Sequence, residues 1–246
     1  MNRNLPYQSL EKMKDMDRIK LVKNIFSSIT NHYDFLNHFL SLNQDKSWRK
    51  RTISEMNFFH TNKFLDIATG TGDLALDCAN TYEDVDVTGV DFVDQMLQKA
   101  NAKIKKQNLQ NRVKMEWADA TNLFYDNNSF DVSAMAFGIR NIPKMKKALS
   151  EMQRVVVDGG QVIILELSTP TSIFWRTIYG LYLNELLPKL ARLFSRDYKA
   201  YKYLAESIMS FPTKNQFLLL MKSMGLKNCR AISLTFGVCT LYIGEK

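Results

Sequence analysis

Residues 64–73, Phe-Leu-Asp-Ile-Ala-Thr-Gly-Thr-Gly-Asp, set two carboxylates, Asp66 and Asp73, on either side of a turn that carries Gly70, Thr71 and Gly72. Glycine lets a chain turn tightly and come close to a ligand, and a helix that starts there leaves unpaired N–H groups and a partial positive charge at the turn. Gly70, Gly72 and Ala75 spell G-x-G-x-x-A, and Asp91 closes the next apolar run, which is the outline of a dinucleotide site. The acids argue for another guest. Asp73 stands where a pyrophosphate would dock and Asp66 faces the same turn, so like charge repels phosphate. A ligand without phosphate, carrying an ammonium and a sulfonium beside a ribose and an adenine, suits an acid-lined turn, and S-adenosylmethionine (SAM) is such a ligand. Asp73 also fits the simpler task of complementing the helix dipole.

Further polar residues fall at matching places. Asp91 offers two acceptor oxygens to the two ribose hydroxyls. Asp119, followed by Ala120, suits either an adenine amino group or a plain turn. Arg140 and Asn141 follow another apolar run, and Tyr33 and Asp34 lie upstream among aromatics, where they line a pocket or simply solvate a helix face.

The elements that must position these groups read as follows. Residues 1–18 form a polar arm, and apolar residues from Ile19 to Leu40 and then Trp48, Ile53 and Met56 recur at helical spacing, giving an N-terminal arm and helical cap over 1–58. Over 59–246, strands at 64–67, 86–91, 113–117, 130–137 and 161–168 alternate with helices at 74 onward, 92–107 and 144–157, with a Gly159-Gly160 turn before the fifth strand. That alternation predicts a parallel sheet with right-handed crossovers, whose carboxyl edge is where ligands bind. A helix over 214–224 and a hairpin over 230–236 and 238–244 close an α/β fold with an antiparallel end. Between them, 170–212 is a helical lid insertion. Nine of the chain's 28 aromatics fall within 174–211, twice an even share, with six Lys or Arg against three acids, which suits a greasy acceptor or a membrane interface as well as plain lid packing.

The totals exclude several classes. No run approaches the ~20 apolar residues of a membrane-spanning helix, and residues 1–20 hold no signal-peptide core, so a cytoplasmic protein is expected. Cys78, Cys229 and Cys239 are scattered, and His32, His38 and His60 form no ligand set, so neither disulfides nor a metal is expected. A formal charge of +8 admits nucleic acid or an anionic membrane as partner, but no nucleic-acid motif accompanies it.

The chain resembles the C-methyltransferases of menaquinone and ubiquinone biosynthesis over nearly all of its length from about Val22. The resemblance rests on Tyr33-Asp34-Phe35-Leu36-Asn37 with Trp48-Arg49-Lys50, the turn Asp66 to Asp73, Phe137-Gly138-Ile139-Arg140-Asn141, Gly159-Gly160 with Glu166, and Tyr203-Leu204-Ala205-Glu206-Ser207-Ile208 running to Phe211-Pro212. It implies a class I SAM-dependent, Rossmann-like domain with a mostly parallel seven-stranded sheet. It implies cofactor contacts at Thr71, Asp91, Asp119 and Ala120, with Gly70 and Gly72 shaping the turn; Asp66, facing that turn, is expected among the cofactor-binding residues as well. It further implies C-methylation of a lipid-tailed demethylmenaquinol. From the residues themselves, the aromatic and basic lid makes transient association with the inner face of the cell membrane an expectation, no nucleic acid is expected, and a homo-oligomer stays open. Arg140 would stabilise the acceptor anion or orient a water, and Tyr33 and Asp34 would hydrogen-bond or take a proton from the acceptor oxygens. Three positions depart from the family pattern: Ala136 stands where a serine contacts the cofactor, Asp158 where a proline precedes the double glycine, and Asn43-Gln44 where a glycine-containing turn is usual. Other functions stay open, among them an NAD-dependent oxidoreductase, methylation of another lipid phenol, a benzoquinol, RNA or protein, and a non-catalytic SAM-binding scaffold.

Overall fold

The computed structural model describes residues 13–30, 33–186 and 198–246. His32 and the middle of the lid insertion lie outside them. Three helices open the described chain: α1 (Asp15–Ile29), α2 (Tyr33–Leu40) and α3 (Gln44–Ser54). The sheet domain follows as β1 (Lys63–Ile67), α4 (Asp73–Thr81), β2 (Asp86–Asp91), α5 (Asp94–Lys106), β3 (Val113–Trp117), β4 (Phe130–Ala136), α6 (Met145–Val155) and β5 (Val156–Leu167). The lid contributes α7 (Ile173–Leu181), a π-helical turn (Tyr182–Leu186) and α8 (Tyr198–Met209), and the chain ends with α9 (Lys214–Ser223), β6 (Lys227–Leu234) and β7 (Cys239–Glu245).

The seven strands lie in the order β3-β2-β1-β4-β5-β7-β6, the first five parallel and β7 antiparallel to both neighbours. This is the expected α/β architecture with its antiparallel end. Strands covered on both faces read as near-continuous apolar runs. Thus Phe64 of β1 joins the core on one face, with Val132 and Ile163, while its neighbour Leu65 joins the other, with Ile164 and Tyr242. Trp48, Ile53 and Met56 of the cap belong to the first of these cores, so α3 is built into the sheet domain.

Two local readings are corrected. The Gly159-Gly160 turn lies inside β5, where the register against β4 shifts between Phe130 and Val132 and Gly159 takes φ +79°. A Cβ on Gly160 would stand 2.8 Å from the carbonyl oxygens of Asp131 and Val157, so close backbone approach, not a turn, demands glycine there. The polar arm gives way to α1 at Asp15, earlier than the apolar pattern suggested. At the α2–α3 junction Asn43 takes φ +60°, the left-handed conformation that Asn tolerates in place of glycine.

Candidate functional site

The carboxyl edge of the sheet gathers most of the polar residues singled out above. After β1 the backbone is left-handed at Ala68 (φ +55°), Gly70 (φ +56°) and Gly72 (φ +83°). A Cβ on Gly72 would press on Ala100 and Met115 at 3.1 Å, so both conformation and space select glycine. Asp91 locks this turn from β2: its Oδ2 accepts the Gly70 N–H and its Oδ1 the Val93 N–H, both at 2.9 Å. Burial lifts its carboxyl above the ordinary range despite those bonds. Asp66, 1% exposed, accepts the Thr69 hydroxyl at 2.5 Å. Burial pushes its pKa up to about 7, against the pull of Thr69 and the Ala75 N–H and with the repulsion of Asp91 and Asp73. Asp119 lies at the same edge beyond β3, exposed, and its Oδ1 accepts the Thr121 N–H at 2.8 Å and hydroxyl at 2.9 Å, so one oxygen performs the turn role. Ala120 stands half-buried beside it, and Ala136 borders the notch described next.

The cap sits directly on the turn. Tyr33 packs against Gly70, whose added Cβ would lie 3.7 Å from the tyrosine ring. Asp34 Oδ1 accepts the Thr71 hydroxyl at 2.5 Å and Oδ2 pairs with Lys103 Nζ at 2.8 Å. Lys103 also reaches Asp73 at 2.6 Å and Thr71 Oγ1 at 3.0 Å. Burial alone would raise the Asp34 carboxyl, but Lys103 and Thr71 outweigh it and hold it below the usual carboxylate range. Asp34 is therefore an ionised latch between α2 and α5, apart from the residues that line either cavity. The sequence reading of Asp34 as a proton acceptor for the substrate finds no geometry in this position. Between cap and turn remains a notch of about 40 Å³, lined by Tyr33, Asp66, Thr69, Asp73 and Phe137, room for a water or two. Its walls carry three acids, Asp45, Asp66 and Asp73, against one cation, Arg49, an excess of acid that suits the cationic end of a SAM molecule.

Beside the notch opens an apolar cavity of about 430 Å³, the size of a small-ligand site, framed by α1 and α2, by α7 and α8, and by the β6–β7 tip. Tyr33, Asn37, Asp45 and Phe137 border both spaces. Among the described lining residues Arg140 is the one permanent cation and Asp45 the one acid. Asp45, 3% exposed, is already engaged: it accepts the Ser41 hydroxyl at 2.7 Å and Arg49 Nη1 at 2.8 Å, and pairs with His38 Nδ1 at 2.7 Å. It ties the α2–α3 corner together.

Arg140 follows Phe137, which takes φ +57°, a left-handed conformation that costs a non-glycine residue roughly 1–3 kcal/mol and clusters at functional sites. The guanidinium is 7% exposed and pairs with Glu166, which is fully buried at the end of β5. Its Nη1 also donates to the Phe137 carbonyl at 2.7 Å, while its Nε–H is buried without a partner. Burial alone would lower the Arg140 pKa, but Glu166 overrides it and raises it, so the cation persists. Glu166 is lifted by burial, countered by Arg140 and by the N–H groups of Leu167 and Arg140. Arg18 buttresses this corner from α1, donating to the Arg140 carbonyl at 2.7 Å, and Tyr203 donates to Asn141 Oδ1 at 2.8 Å. Tyr33 faces Arg140 across the cavity; burial raises its pKa, so its hydroxyl stays protonated, with Asn37 and Arg140 pulling the other way.

Several participants escaped the sequence reading. Lys103 is one of four lysines in α5, with nothing in its spacing to mark it. Arg18 fell in a segment read only as a polar arm. Phe236 stacks on Trp175 of the lid with ring centroids 4.0 Å apart, and Trp48 Nε1–H donates to Thr235 Oγ1 at 2.8 Å, contacts that no local pattern announces. Among the described residues no group of three His, Cys, Asp or Glu is placed to hold a metal.

Residues 11–246 match the model of the ubiE/COQ5 methyltransferase family. The ubiquinone/menaquinone biosynthesis C-methyltransferase UbiE of Geotalea daltonii is 38% identical over 226 residues, covering 92% of this chain and 96% of that protein. The demethylmenaquinone methyltransferase of Porphyromonas gingivalis is 38% identical over 244 residues, covering 97% and 100%. In fold, a SAM-dependent methyltransferase from Thermotoga maritima superposes with a TM-score of 0.65 at 17% identity, over 91% of this chain and 98% of that one. Phosphoethanolamine N-methyltransferase 2 of Haemonchus contortus, solved with SAM, gives 0.62 at 16% identity over 81% of this chain and 52% of that longer one.

Proposed function

The chain belongs to the ubiE/COQ5 methyltransferase family, and from that premise we propose that it methylates a ring carbon of demethylmenaquinol in the apolar cavity beside the turn. It is a SAM-dependent C-methyltransferase of quinone biosynthesis. Bound SAM would supply a methyl group made electrophilic by a positive sulfur; the activated ring carbon would take it while the C–S electron pair returned to sulfur, and that carbon's own hydrogen would then leave as a proton to water, restoring the aromatic ring.

The protein's share is binding, orientation and charge. Asp91 receives the ribose hydroxyls, Asp119 and Ala120 border the adenine, and Asp66, Gly70, Thr71 and Gly72 shape the wall along the amino-acid end. What supports these roles is their common edge and a notch whose walls carry three acids, Asp45, Asp66 and Asp73, against one cation, Arg49. Arg140 is the anchor of catalysis. A quinol becomes a carbon nucleophile when one hydroxyl loses its proton, and a guanidinium bordering an apolar cavity stabilises the oxygen anion that results. That Arg140 is the one permanent cation among the described residues lining the cavity is the observation that carries the reading. Tyr33, which borders both spaces, orients the ring between cofactor and anion site. Alignment of this kind supplies roughly 7–11 kcal/mol of barrier reduction. Asp34 latches the cap on the turn through Thr71 and Lys103. The lipid-tailed acceptor would be met at the membrane surface on the cytoplasmic side; among the described residues no helix is long and apolar enough to cross a membrane.

The test is transfer of labelled methyl from SAM to short-tailed demethylmenaquinol under reducing conditions, with the product identified by mass. Wild type should give the ring-methylated quinol, and Arg140→Ala should lower kcat about 100-fold or more while SAM affinity holds within about twofold. A loss confined to SAM binding would refute the role of Arg140. Because one relative's name covers ubiquinone as well, a benzoquinol belongs in the same assay.

A further inference from the structure

Helix α7 buries none of its residues, although it is apolar on two sides. Its inner side, Trp175, Tyr179 and the neighbouring Tyr182, lines the cavity. Its outer side shows Ile173 at 73%, Phe174 at 65% and Leu181 at 59% exposure. An apolar helix face left open to water marks a contact site. Three residues that line the cavity are also exposed, Ile178 on α7, Leu42 at the α2–α3 corner and Phe236 at the β6–β7 tip. Contributed by three separate elements, they mark the cavity mouth, and the outer face of α7 forms its rim.

We infer that this rim docks on an anionic phospholipid bilayer and passes the acceptor's tail between lipid and cavity. The inference rests on the proposed quinol acceptor. A cavity of about 430 Å³ is filled by a drug-sized ligand, so it takes the ring and the first part of a polyprenyl tail; the remainder has to leave through the mouth into an apolar medium. Charge selects bilayer over a second copy of the chain. The protein carries +8, and Arg176 is exposed on α7 to the side of the outer apolar face. Two copies so charged repel each other, whereas anionic headgroups attract the chain. An apolar face flanked by a cation is the arrangement of an interfacial helix.

The experiment compares wild type, Ile173→Glu/Leu181→Glu and Phe124→Glu by flotation with vesicles of phosphatidylglycerol and phosphatidylcholine. The paired positions lie outside the cavity lining, and Phe124, 62% exposed between β3 and β4, is the control. Thermal melting establishes that each variant is folded. Wild type and Phe124→Glu should float with the vesicles, and the double variant should partition at least tenfold less. Its turnover of a short-tailed acceptor in solution should stay within twofold of wild type, while turnover of a long-tailed acceptor in vesicles falls at least tenfold. Wild type that stays with the soluble fraction, or a double variant that floats as well as wild type, overturns the inference. So does a wild-type dimer in size exclusion that the double variant splits, because the face then belongs to a second copy. Failure of wild type to methylate the short-tailed acceptor refutes the proposed acceptor instead, and flotation still decides the surface.

Discussion

Glu166→Gln isolates what the buried ion pair contributes. The substitution keeps the shape but leaves one amide oxygen where two carboxylate oxygens now accept, Oε1 from the Leu167 N–H at 2.8 Å and Oε2 from the Arg140 N–H at 3.2 Å, so the new amide NH2 also displaces one of these bonds. What it removes is the negative charge beside a guanidinium that is only 7% exposed. Breaking one side of a buried pair costs roughly 3–5 kcal/mol, because the other charge is left without compensation. Against a total stability of about 5–15 kcal/mol that is a large fraction, readable as a lowered urea midpoint. The guanidinium should also turn away from its post, lowering kcat by about 100-fold or more, with SAM affinity unchanged because neither residue borders the notch. The decisive comparison is Arg140→Met/Glu166→Gln. If the cost is an orphaned charge, removing the arginine as well restores at least about 2 kcal/mol of stability without restoring turnover. A Glu166→Gln variant that loses less than about 1 kcal/mol, or a double variant less stable than the single one, would refute the account.

Asp66 sets a pH dependence. Its folded pKa of about 7 lies above the unfolded value near 4, so its contribution to stability is complete below pH 4 and is lost as pH rises through 7. Relative to Asp66→Asn, wild type should therefore lose on the order of 4 kcal/mol across that window, measured by denaturant titration at several pH values; parallel curves would contradict it. Lys103→Met should release the cap, since one ammonium holds Asp34, Asp73 and the Thr71 hydroxyl. The expected result is about 1–2 kcal/mol less stability and faster SAM dissociation in stopped flow, and an unchanged off-rate would remove the latch from the gating step. Asp91→Ala should weaken SAM binding at least tenfold by calorimetry, because it removes the proposed ribose acceptor together with the bond that locks Gly70.

The sheet and its carboxyl edge were legible because their signals are local. Each strand is a short apolar run, each crossover helix has its own period, and Gly70 and Gly72 mark the turn. Arg140 was legible for the same reason, as the residue just past a strand. The rest depends on long-range placement. Lys103 looks like any solvated lysine until α5 brings it against Asp34 across 69 positions of chain. Asp34 beside Tyr33 suggested a shared catalytic duty, but consecutive helical residues point about 100° apart, so one faces the cavity and the other the latch. The double glycine was misread because a turn and a close-packed bulge demand the same residue.

The cavity frame runs from Ile25 to Val238, nearly the whole chain, and the Trp48–Thr235 hydrogen bond joins positions 187 apart in sequence. The last strand, β7, must also slide between β5 and β6 to complete the sheet. During synthesis the cap helices emerge well before the tip that seals them, so the pocket cannot close until the whole sheet domain between them has left the ribosome. Until then the aromatic lining is open surface, which makes the nascent chain a natural client for chaperones and ties the arrival of the binding site to the making of its final wall.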